Sequence, residues 1–308
     1  MDAATADAIR DYVRGGGCVV ADVLPAMREA MGKPREQSAL GAVFGRVAGG
    51  EPRAGLPEAA GDDGVSGYTH RKVGAGNAIL LDFVANDVND ETAAWYDAFA
   101  DRLVGLAGLA APARIVDAET RQPLPHRPLY VFTYGKATLL GSIRGYLTWA
   151  NNNPRLLDHD ADGPEMAAFT WPEQRHVYNV RNGEYLGFSD NATVDLPSFQ
   201  ARLLALLPYR VSGLAVSAPS CVQAGDRVTI EVRVRATGDA PGPHVFRLNV
   251  ESPTGHRVPL YAQTRTGSDG RAVFTIPFAY NDRQGRWTLT VRDVLSGTVA
   301  QHTITVRR

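Results

Sequence analysis

The spacing of hydrophobic residues changes along the chain, and the first change marks a helix that leads into a strand. Four residues recur at helical spacing and give the first segment one apolar face: Ala6, Ile9, Tyr12 and Val13. The glycines at 15–17 can close this helix, because glycine takes the left-handed conformation at little steric cost. Residues 18–23 have the continuous apolar character of a strand that is covered on both faces, as the strands of parallel sheets are.

Further patterns extend this α/β region. Two short strands are predicted at 67–72 and 77–83, joined by a Gly-Ala-Gly turn. Asn89 or Asp90 caps a predicted helix at about 91–105, whose apolar residues fall near one face. The glycine-rich turn lacks the following helix of a phosphate-binding turn, so the sequence gives no support for a nucleotide site there.

From about residue 113 onward the hydrophobic pattern becomes that of strands. Short runs rich in β-branched and aromatic residues predict strands at 114–117, 129–134, 137–144, 176–180 and 184–188. Asn182-Gly183 separates the last two runs and is the strongest two-residue hairpin signal. The segment 199–207 fits either a strand or a helix by its periodicity alone.

The last hundred residues show a regular alternation of apolar and polar positions. Seven short strands are separated by turn residues, at a spacing of roughly 8–12 residues that is typical of an immunoglobulin-like sandwich. We expect Trp287 in the core of that sandwich, facing the opposite sheet. The predicted strands are 214–217, 227–235, 244–251, 258–264, 272–276, 286–291 and 299–306.

The opening stretch resembles the second half of the trimerisation domain of glycoside hydrolase family 42 β-galactosidases and their larger relatives. In those proteins a helix ending in R-x-Y-V-x-x-G-G leads into an apolar strand, a G-x-P-R loop and an L-x-x-x-F/L-G-V helix. The loop at 25–30 departs from the acidic and glycine residues that are common in the family. The matching residues are Arg10, Tyr12, Val13, Gly16, Gly17, Gly32, Pro34, Arg35, Leu40, Phe44, Gly45 and Val47.

The middle of the chain is similar to the β-domain of the same large proteins, through the pattern Y-x-V-R-x-G-x-Y-L-G. The residues that carry it are Tyr178, Val180, Arg181, Gly183, Tyr185, Leu186 and Gly187. In these relatives a segment like 199–207 ends a β-sandwich, so we predict that 199–207 is a strand. The final strands resemble the macroglobulin-like and fibronectin-like modules of extracellular bacterial proteins.

The resemblance implies an incomplete N-terminal sheet. Family domains of this kind are similar to class I glutamine amidotransferases, which begin with several strand–helix units that this chain lacks. A parallel strand needs neighbours, since each buried unpaired backbone group costs roughly 1–3 kcal/mol. We therefore expect a partial flavodoxin-like α/β domain at 1–111, followed by two β-sandwich-type domains at 112–210 and 211–308. The fold class is thus α/β plus all-β. The half-domain is expected either to be cut from a longer protein or to be completed by a second copy or a companion chain.

Composition narrows the possible classes of protein. The chain has 44% hydrophobic and 21% charged residues, as ordinary soluble globular proteins do. A formal net charge of −1, with mixed signs along the chain, gives no footprint for nucleic acid or an anionic membrane. The N-terminus lacks the pattern of a signal peptide, although a parent protein could be secreted or periplasmic. Cys18 and Cys221 lie in different predicted domains, and we expect both to be buried free thiols.

The sequence offers no constellation for catalysis. A glycosidase needs two carboxyl groups on a scaffold such as a TIM barrel, and no part of the chain alternates strands and helices over about 250 residues. An amidotransferase needs a nucleophilic cysteine on a strand-to-helix elbow with a histidine partner. Cys18 instead begins a strand, and the histidines show no shared short motif that would suggest zinc. We assign no catalytic residues, no required cofactor and no independent hydrolase activity.

A partial calcium loop lies in the middle region. Asp158, Asp160 and Asp162 occupy positions 1, 3 and 5 of such a loop, and Gly163 occupies position 6. Alternating carboxylates across a tight turn can converge on one hard cation. Position 12 holds Phe169 in place of the usual glutamate, so an acidic solvated turn is the alternative interpretation.

A second candidate site precedes that loop. Tyr146 and Trp149 supply aromatic faces for sugar rings, and Asn151 and Asn153 supply amides for hydroxyl groups. The alternative is that Trp149 packs beneath the asparagine-rich loop.

Together these patterns lead to two functional hypotheses. The first is a non-catalytic, assembly-forming accessory region of a glycosidase-like protein. The second is a carbohydrate- or cell-surface-binding module that uses the β-domains.

Overall fold

The computed structural model describes residues 1–46, 67–83, 93–122, 124, 127–144, 165–197 and 200–308. The chain divides into two compact units, Met1–Ala111 and Pro112–Arg308. The division into three domains stays a prediction. No helix in the described ranges is both long enough and apolar enough to cross a lipid bilayer.

The N-terminal unit is built around a three-stranded mixed sheet. Its strand order is β1-β3-β2, in which β1 is parallel to β3 and β2 is antiparallel to β3. The predicted first helix, hairpin and last helix are confirmed. The elements are α1 Ala3–Arg14, β1 Cys18–Ala21, α2 Gly41–Phe44, β2 Tyr68–Val73, β3 Gly76–Leu81 and α3 Ala93–Leu106.

The central strand β3 is the strand that is covered on both faces. All six of its residues are buried. Ala78 and Leu80 pack into a cluster with residues of α1 and α2, while Ile79 and Leu81 pack with Phe99 of α3. The prediction that residues 18–23 form such a strand is wrong, because β1 ends at Ala21 and the Val20 side chain is 44% exposed. A strand at the edge of a sheet stays exposed to solvent wherever no helix packs on it, even if its side chains are apolar.

Close backbone packing explains the two glycine-rich segments. The turn after α1 and the β2–β3 turn are joined by a hydrogen bond from Ala75 N–H to the Arg14 carbonyl. A Cβ at Gly76 would lie only 2.1 Å from the carbonyl oxygens of Val13 and Gly17. Of the three glycines at 15–17, Gly16 has a positive φ of 112°. The predicted inward position of Tyr12 is wrong: its side chain is 60% exposed, and its ring occupies the space beside Gly17.

The second unit begins with a six-stranded antiparallel sheet. The strand order is β4-β7-β9-β6-β5, and β8 pairs with the other side of β7. The described strands thus lie in one sheet, where the sequence led us to expect a sandwich of two. The hairpin strands around Asn182-Gly183 are much longer than predicted, and 201–207 is a strand as predicted. The strands are β4 Arg114–Asp117, β5 Leu129–Tyr134, β6 Ala137–Ile143, β7 Glu165–Asn179, β8 Glu184–Leu196 and β9 Ala201–Leu207.

This sheet curves enough to enclose a core of its own. Residues of β6, β7, β8 and β9 form one cluster in which Leu140, Phe169, Leu196 and Leu204 are fully buried. A flat sheet would leave such a face open to solvent, whereas these side chains are buried. A large bulge in β7 helps the bend: five steps from Thr170 to Arg175 oppose two steps on β8.

The chain ends in two packed sheets whose strands pair antiparallel, except that β11 is parallel to β17. One has the order β10-β12-β15 and the other β11-β17-β16-β13-β14. Trp287 is in the core as predicted. The strand predicted at 258–264 is wrong: Pro259–Tyr261 is a 3-10 helix, because proline favours a first helical turn and cannot donate to a ladder. The strands are β10 Tyr209–Ser217, β11 Cys221–Gln223, β12 Arg227–Gly238, β13 His244–Glu251, β14 Gln263–Gly267, β15 Arg271–Pro277, β16 Gly285–Asp293 and β17 Val299–Arg307.

The six-stranded sheet and the sandwich share one core. β10 runs across the predicted boundary at 210, and Ala137, Tyr178 and Leu207 pack in the same cluster as the sandwich residues. The Tyr178 hydroxyl accepts a hydrogen bond from Val211 N–H at 2.8 Å. The two regions of this unit are therefore joined by buried side chains.

Candidate functional site

The outer edge of β1 presents backbone groups away from the rest of the sheet. Asn77 N–H donates to the Gly17 carbonyl at 3.0 Å. In parallel pairing, the N–H and C=O of one residue point to the same side, and alternate residues point to opposite sides. Cys18 and Val20 therefore direct their N–H and C=O groups outward. Within the described ranges, β3 is the one strand that pairs with β1.

Apolar side chains accompany this open edge. Val20 and Val23 are 44% and 45% exposed, and Tyr12 at the end of α1 is exposed as well. Cys18 packs beside Ile79 on the α3 side, and burial raises the pKa of its thiol. A raised pKa leaves less of the thiol in its reactive thiolate form.

The β7 bulge forms one wall of a cleft in the second unit. The cleft has a volume of about 320 Å³ and is lined by Arg121, Thr170, Trp171, Asp190 and Asn191. These residues come from the loop after β4, from β7 at the bulge, and from the facing part of β8. Distant parts of the sequence therefore meet at one place because β4 and β8 both pair with β7.

Trp171 is fixed at the base of this cleft. Its side chain is 8% exposed and belongs to the core of the six-stranded sheet. The indole Nε1–H donates to the Ser189 carbonyl at 3.1 Å. Pro172 follows directly and has no N–H for the ladder, which is a local reason for the bulge.

Arg121 stands at the rim in an unusual conformation. Its φ of 60° lies in the left-handed region, which a non-glycine residue enters at a cost. The preceding turn holds it there: Asp117 accepts bonds from the Thr120 N–H and hydroxyl through its carboxylate, and Arg121 N–H donates to the Asp117 carbonyl. These bonds lower the pKa of the Asp117 carboxyl, chiefly through the Thr120 backbone N–H.

The cleft combines donors, acceptors and one apolar ring. Asn191 Nδ2 donates to the Asp190 carboxylate at 2.8 Å, which fixes these two neighbouring side chains together. The Arg121 guanidinium supplies donors only, the carboxylate supplies acceptors, and Thr170 supplies both. The formal charges of Arg121 and Asp190 cancel, so the cleft is polar without a net charge.

A separate polar network is closed to any ligand. Tyr209, His244 and Asp293 are fully buried in the sandwich-side core. The Tyr209 hydroxyl bonds to His244 Nε2 at 2.9 Å, and His244 Nδ1 bonds to the Asp293 carboxylate at 2.8 Å. Ser296 N–H donates to the other carboxylate oxygen at 3.0 Å. The arrangement resembles a relay of catalytic groups, but burial assigns it to holding the core together.

Both predicted ligand sites lie outside the described residues. This applies to the calcium candidates Asp158, Asp160 and Asp162, and to the glycan candidates Tyr146, Trp149, Asn151 and Asn153. In the ranges that the structure does describe, no three metal-ligating side chains gather. Both cysteines are free thiols there, but the prediction that both are buried is wrong, because Cys221 is exposed on the edge strand β11.

Sequence reasoning missed the cleft around Trp171. The available signal was Trp171-Pro172 inside an otherwise strand-like run, since a proline in a central strand marks a bulge. The positions of Arg121 and Asp190 beside it depend on strand pairing, which the local pattern does not specify.

Comparisons with known proteins give distant similarity only. The sequence matches no family model, and no curated protein sequence matches it. A glycosyl hydrolase family 2 member from Bacteroides cellulosilyticus is 16% identical with a TM-score of 0.27, over 47% of this chain and 23% of that one. A β-glycosidase from Bacteroides vulgatus is 15% identical with a TM-score of 0.23, over 46% of this chain and 22% of that one.

A third structure is a CARDB domain from Pyrococcus furiosus, solved in complex with di-metal ions. It is 15% identical with a TM-score of 0.23, over 31% of this chain and 86% of that one. The chain spans less than a quarter of the length of the two glycosidases. The similarity is to β-sandwich regions of glycosidases and to immunoglobulin-like domains.

Proposed function

We propose that this chain is a non-catalytic accessory region of a glycosidase-like protein, and that it holds copies of that protein together. The support for the glycosidase class is the resemblance of residues 10–47 to the trimerisation domain of family 42 enzymes. Several matching residues have clear local roles. Leu40 and Phe44 are buried, and Gly45 ends α2 at a φ of 71°.

The open edge of β1 is the observation that carries the assembly proposal. Cys18 and Val20 direct backbone groups outward, and the exposed Val20 side chain lies on the same strand. An edge of this kind is a template for pairing with another chain. The occupant that we propose is β1 of a second copy, because an isologous contact needs only one self-complementary surface.

Removing a single backbone N–H tests this pairing. Val20→Pro removes an N–H that points away from β3, so the β1–β3 ladder keeps its bonds. A symmetric contact would lose two hydrogen bonds, each worth about 0.5–1.5 kcal/mol, and the self-association constant should fall about tenfold or more. Light scattering coupled to size-exclusion chromatography over a dilution series measures it.

Val20→Ala is the matched control, because it shortens the same side chain and keeps the N–H. It should retain most of the association. If the unsubstituted chain remains monomeric at the highest concentration it tolerates, the proposed pairing between copies is wrong. If the chain associates only with an added companion chain, the accessory role still holds, and the companion chain takes the place of the second copy at the edge of β1.

A further inference from the structure

We propose that the cleft at the β7 bulge binds one neutral pyranose unit of a glycan. Its lining residues are Arg121, Thr170, Trp171, Asp190 and Asn191. The site lies in the second unit and does not depend on the pairing of β1, so it is a binding function separate from assembly.

The size of the cleft favours a small ligand. Ligand pockets in proteins span roughly 300–1,000 Å³, and the volume here of about 320 Å³ is at the lower end. Such a space suits a single ring and excludes an extended chain from lying wholly inside it. The ligand would therefore be a terminal or side-branch unit, with the rest of the glycan in solvent.

The chemistry of the lining matches a sugar with several hydroxyl groups. Each hydroxyl both donates and accepts, and the cleft offers donors from Arg121, acceptors from Asp190, and both from Asn191 and Thr170. The small exposed part of Trp171, which is 8% exposed, supplies an apolar contact for the C–H groups of a pyranose. A metal ion would need an excess of negative charge in the cleft, and a phosphate would need an excess of positive charge. The charges of Arg121 and Asp190 cancel, so we expect the ligand to be neutral.

The cleft is also preorganised. The bond from Trp171 Nε1 to the Ser189 carbonyl fixes the indole, and Asn191 Nδ2 donates to the Asp190 carboxylate at 2.8 Å. Arg121 is held at a positive φ by the turn built on Asp117. A left-handed non-glycine residue costs about 1–3 kcal/mol of strain. Strain of this kind is often retained where the residue has a task, and here Arg121 lines the cleft.

Arg121→Gly separates binding from folding. Glycine tolerates a positive φ, so the variant should melt at the same temperature as the parent protein or higher. The guanidinium donors are lost, and the dissociation constant for the sugar should rise about tenfold or more. Loss of binding together with unchanged or higher stability is a result that a purely structural arginine would not give.

The experiment uses the full chain and methyl glycosides of galactose, glucose, mannose and N-acetylglucosamine as probes. Saturation-transfer NMR and calorimetry measure binding to the parent, Arg121→Gly and Asn191→Ala. The control is Asp269→Asn, an exposed carboxylate whose partner is Arg271 at 3.6 Å in the β14–β15 turn. It removes one negative charge elsewhere on the unit and should leave the affinity unchanged.

The expected result is binding of at least one neutral glycoside that both cleft variants weaken and the control does not. The proposal is wrong if none of the four probes binds, or if both cleft variants bind as the parent does. The oligomeric state of Arg121→Gly should match that of the parent, which keeps this result independent of the proposed assembly.

Discussion

The N-terminal sheet and the C-terminal sandwich reach stability by different routes. In the sheet, the single strand β3 is buried throughout while the adjoining β1 keeps Val20 exposed. In the sandwich, strands alternate inward and outward residues, as in the pattern of β12 from Arg227 to Gly238. The sandwich also buries a fully bonded polar network at His244 and Asp293. Packed side chains stabilise both regions. The sheet differs by its partly exposed edge strand, and the sandwich differs by its buried polar network.

Removal of Asp293 should have the largest effect on the sandwich. Asp293→Ala leaves His244 Nδ1 and Ser296 N–H without their acceptor in a fully buried position. Each buried donor left without an acceptor costs about 1–3 kcal/mol, so the loss for both should be about 2–6 kcal/mol. Urea unfolding, followed by hydrogen exchange to locate the loss, should show the second unit destabilised by that amount.

Asp269→Ala is the control for this prediction. Its ion pair with Arg271 is exposed, and such pairs contribute about 0–1 kcal/mol. A loss of less than about 1 kcal/mol for Asp293→Ala would contradict the view that the network stabilises the core.

Gly76→Ala should have the next largest effect, and it should be confined to the N-terminal unit. A Cβ at this position would lie 2.1 Å from the carbonyl oxygens of Val13 and Gly17. The backbone of α1 or β3 must then move, and overpacking of this kind costs typically about 1–3 kcal/mol. Hydrogen exchange should report faster opening of α1 and β3 while β12 and β16 keep the protection of the parent.

Gly105→Ala provides the matched comparison within the same unit. Gly105 lies in α3 with nothing within 4 Å of an added Cβ. Alanine is favoured over glycine in a helix by about 0.8–1.0 kcal/mol, so this variant should be stabilised. If Gly76→Ala were equally stabilising, close backbone packing would not explain the glycine-rich turns.

The sequence predicted secondary structure best where the hydrophobic pattern fits only one kind of element. The alternation at 227–235 and the hairpin around Asn182-Gly183 predicted strands that the structure contains. Prediction failed where a neighbour decided the outcome. Residues 18–23 have the composition of a strand that is covered on both faces. In the structure, Phe99 of α3 packs on β3, and Val20 of β1 stays exposed. Tyr12 has helical spacing with the buried residues, yet its ring lies beside Gly17, where the missing side chain leaves room.

The cleft could not be assembled from local patterns. Arg121 follows a short turn, Trp171 lies in a strand, and Asp190 lies in the next strand of a hairpin. Their meeting depends on the pairing of β4 with β7 and on the size of the β7 bulge. Local sequence indicates a bulge at Trp171-Pro172, but not the number of extra residues, and that number sets the width of the cleft.

A rise in pH to about 10.5 provides the third comparison. Burial raises the pKa of Tyr178 and Tyr261 in the second unit to about 12, and it also raises the pKa of Tyr209. In the unfolded chain a tyrosine titrates near 10. The folded state therefore holds these protons more tightly, and the stabilisation is complete below pH 10 and is lost as the pH rises from about 10 through 12.

The same sign applies to Cys18 in the N-terminal unit, whose pKa burial also raises. The second unit has three tyrosines with a raised pKa, and the N-terminal unit has one such cysteine. At about pH 10.5, we therefore expect the second unit to lose more stability than the N-terminal unit. Urea unfolding at a series of pH values measures how steeply stability falls with pH, and Tyr261→Phe should make this slope smaller. The Tyr261 hydroxyl donates to Asp282. If the pH dependence of stability is unchanged in Tyr261→Phe, this hydroxyl does not contribute to the difference between the sandwich and the sheet.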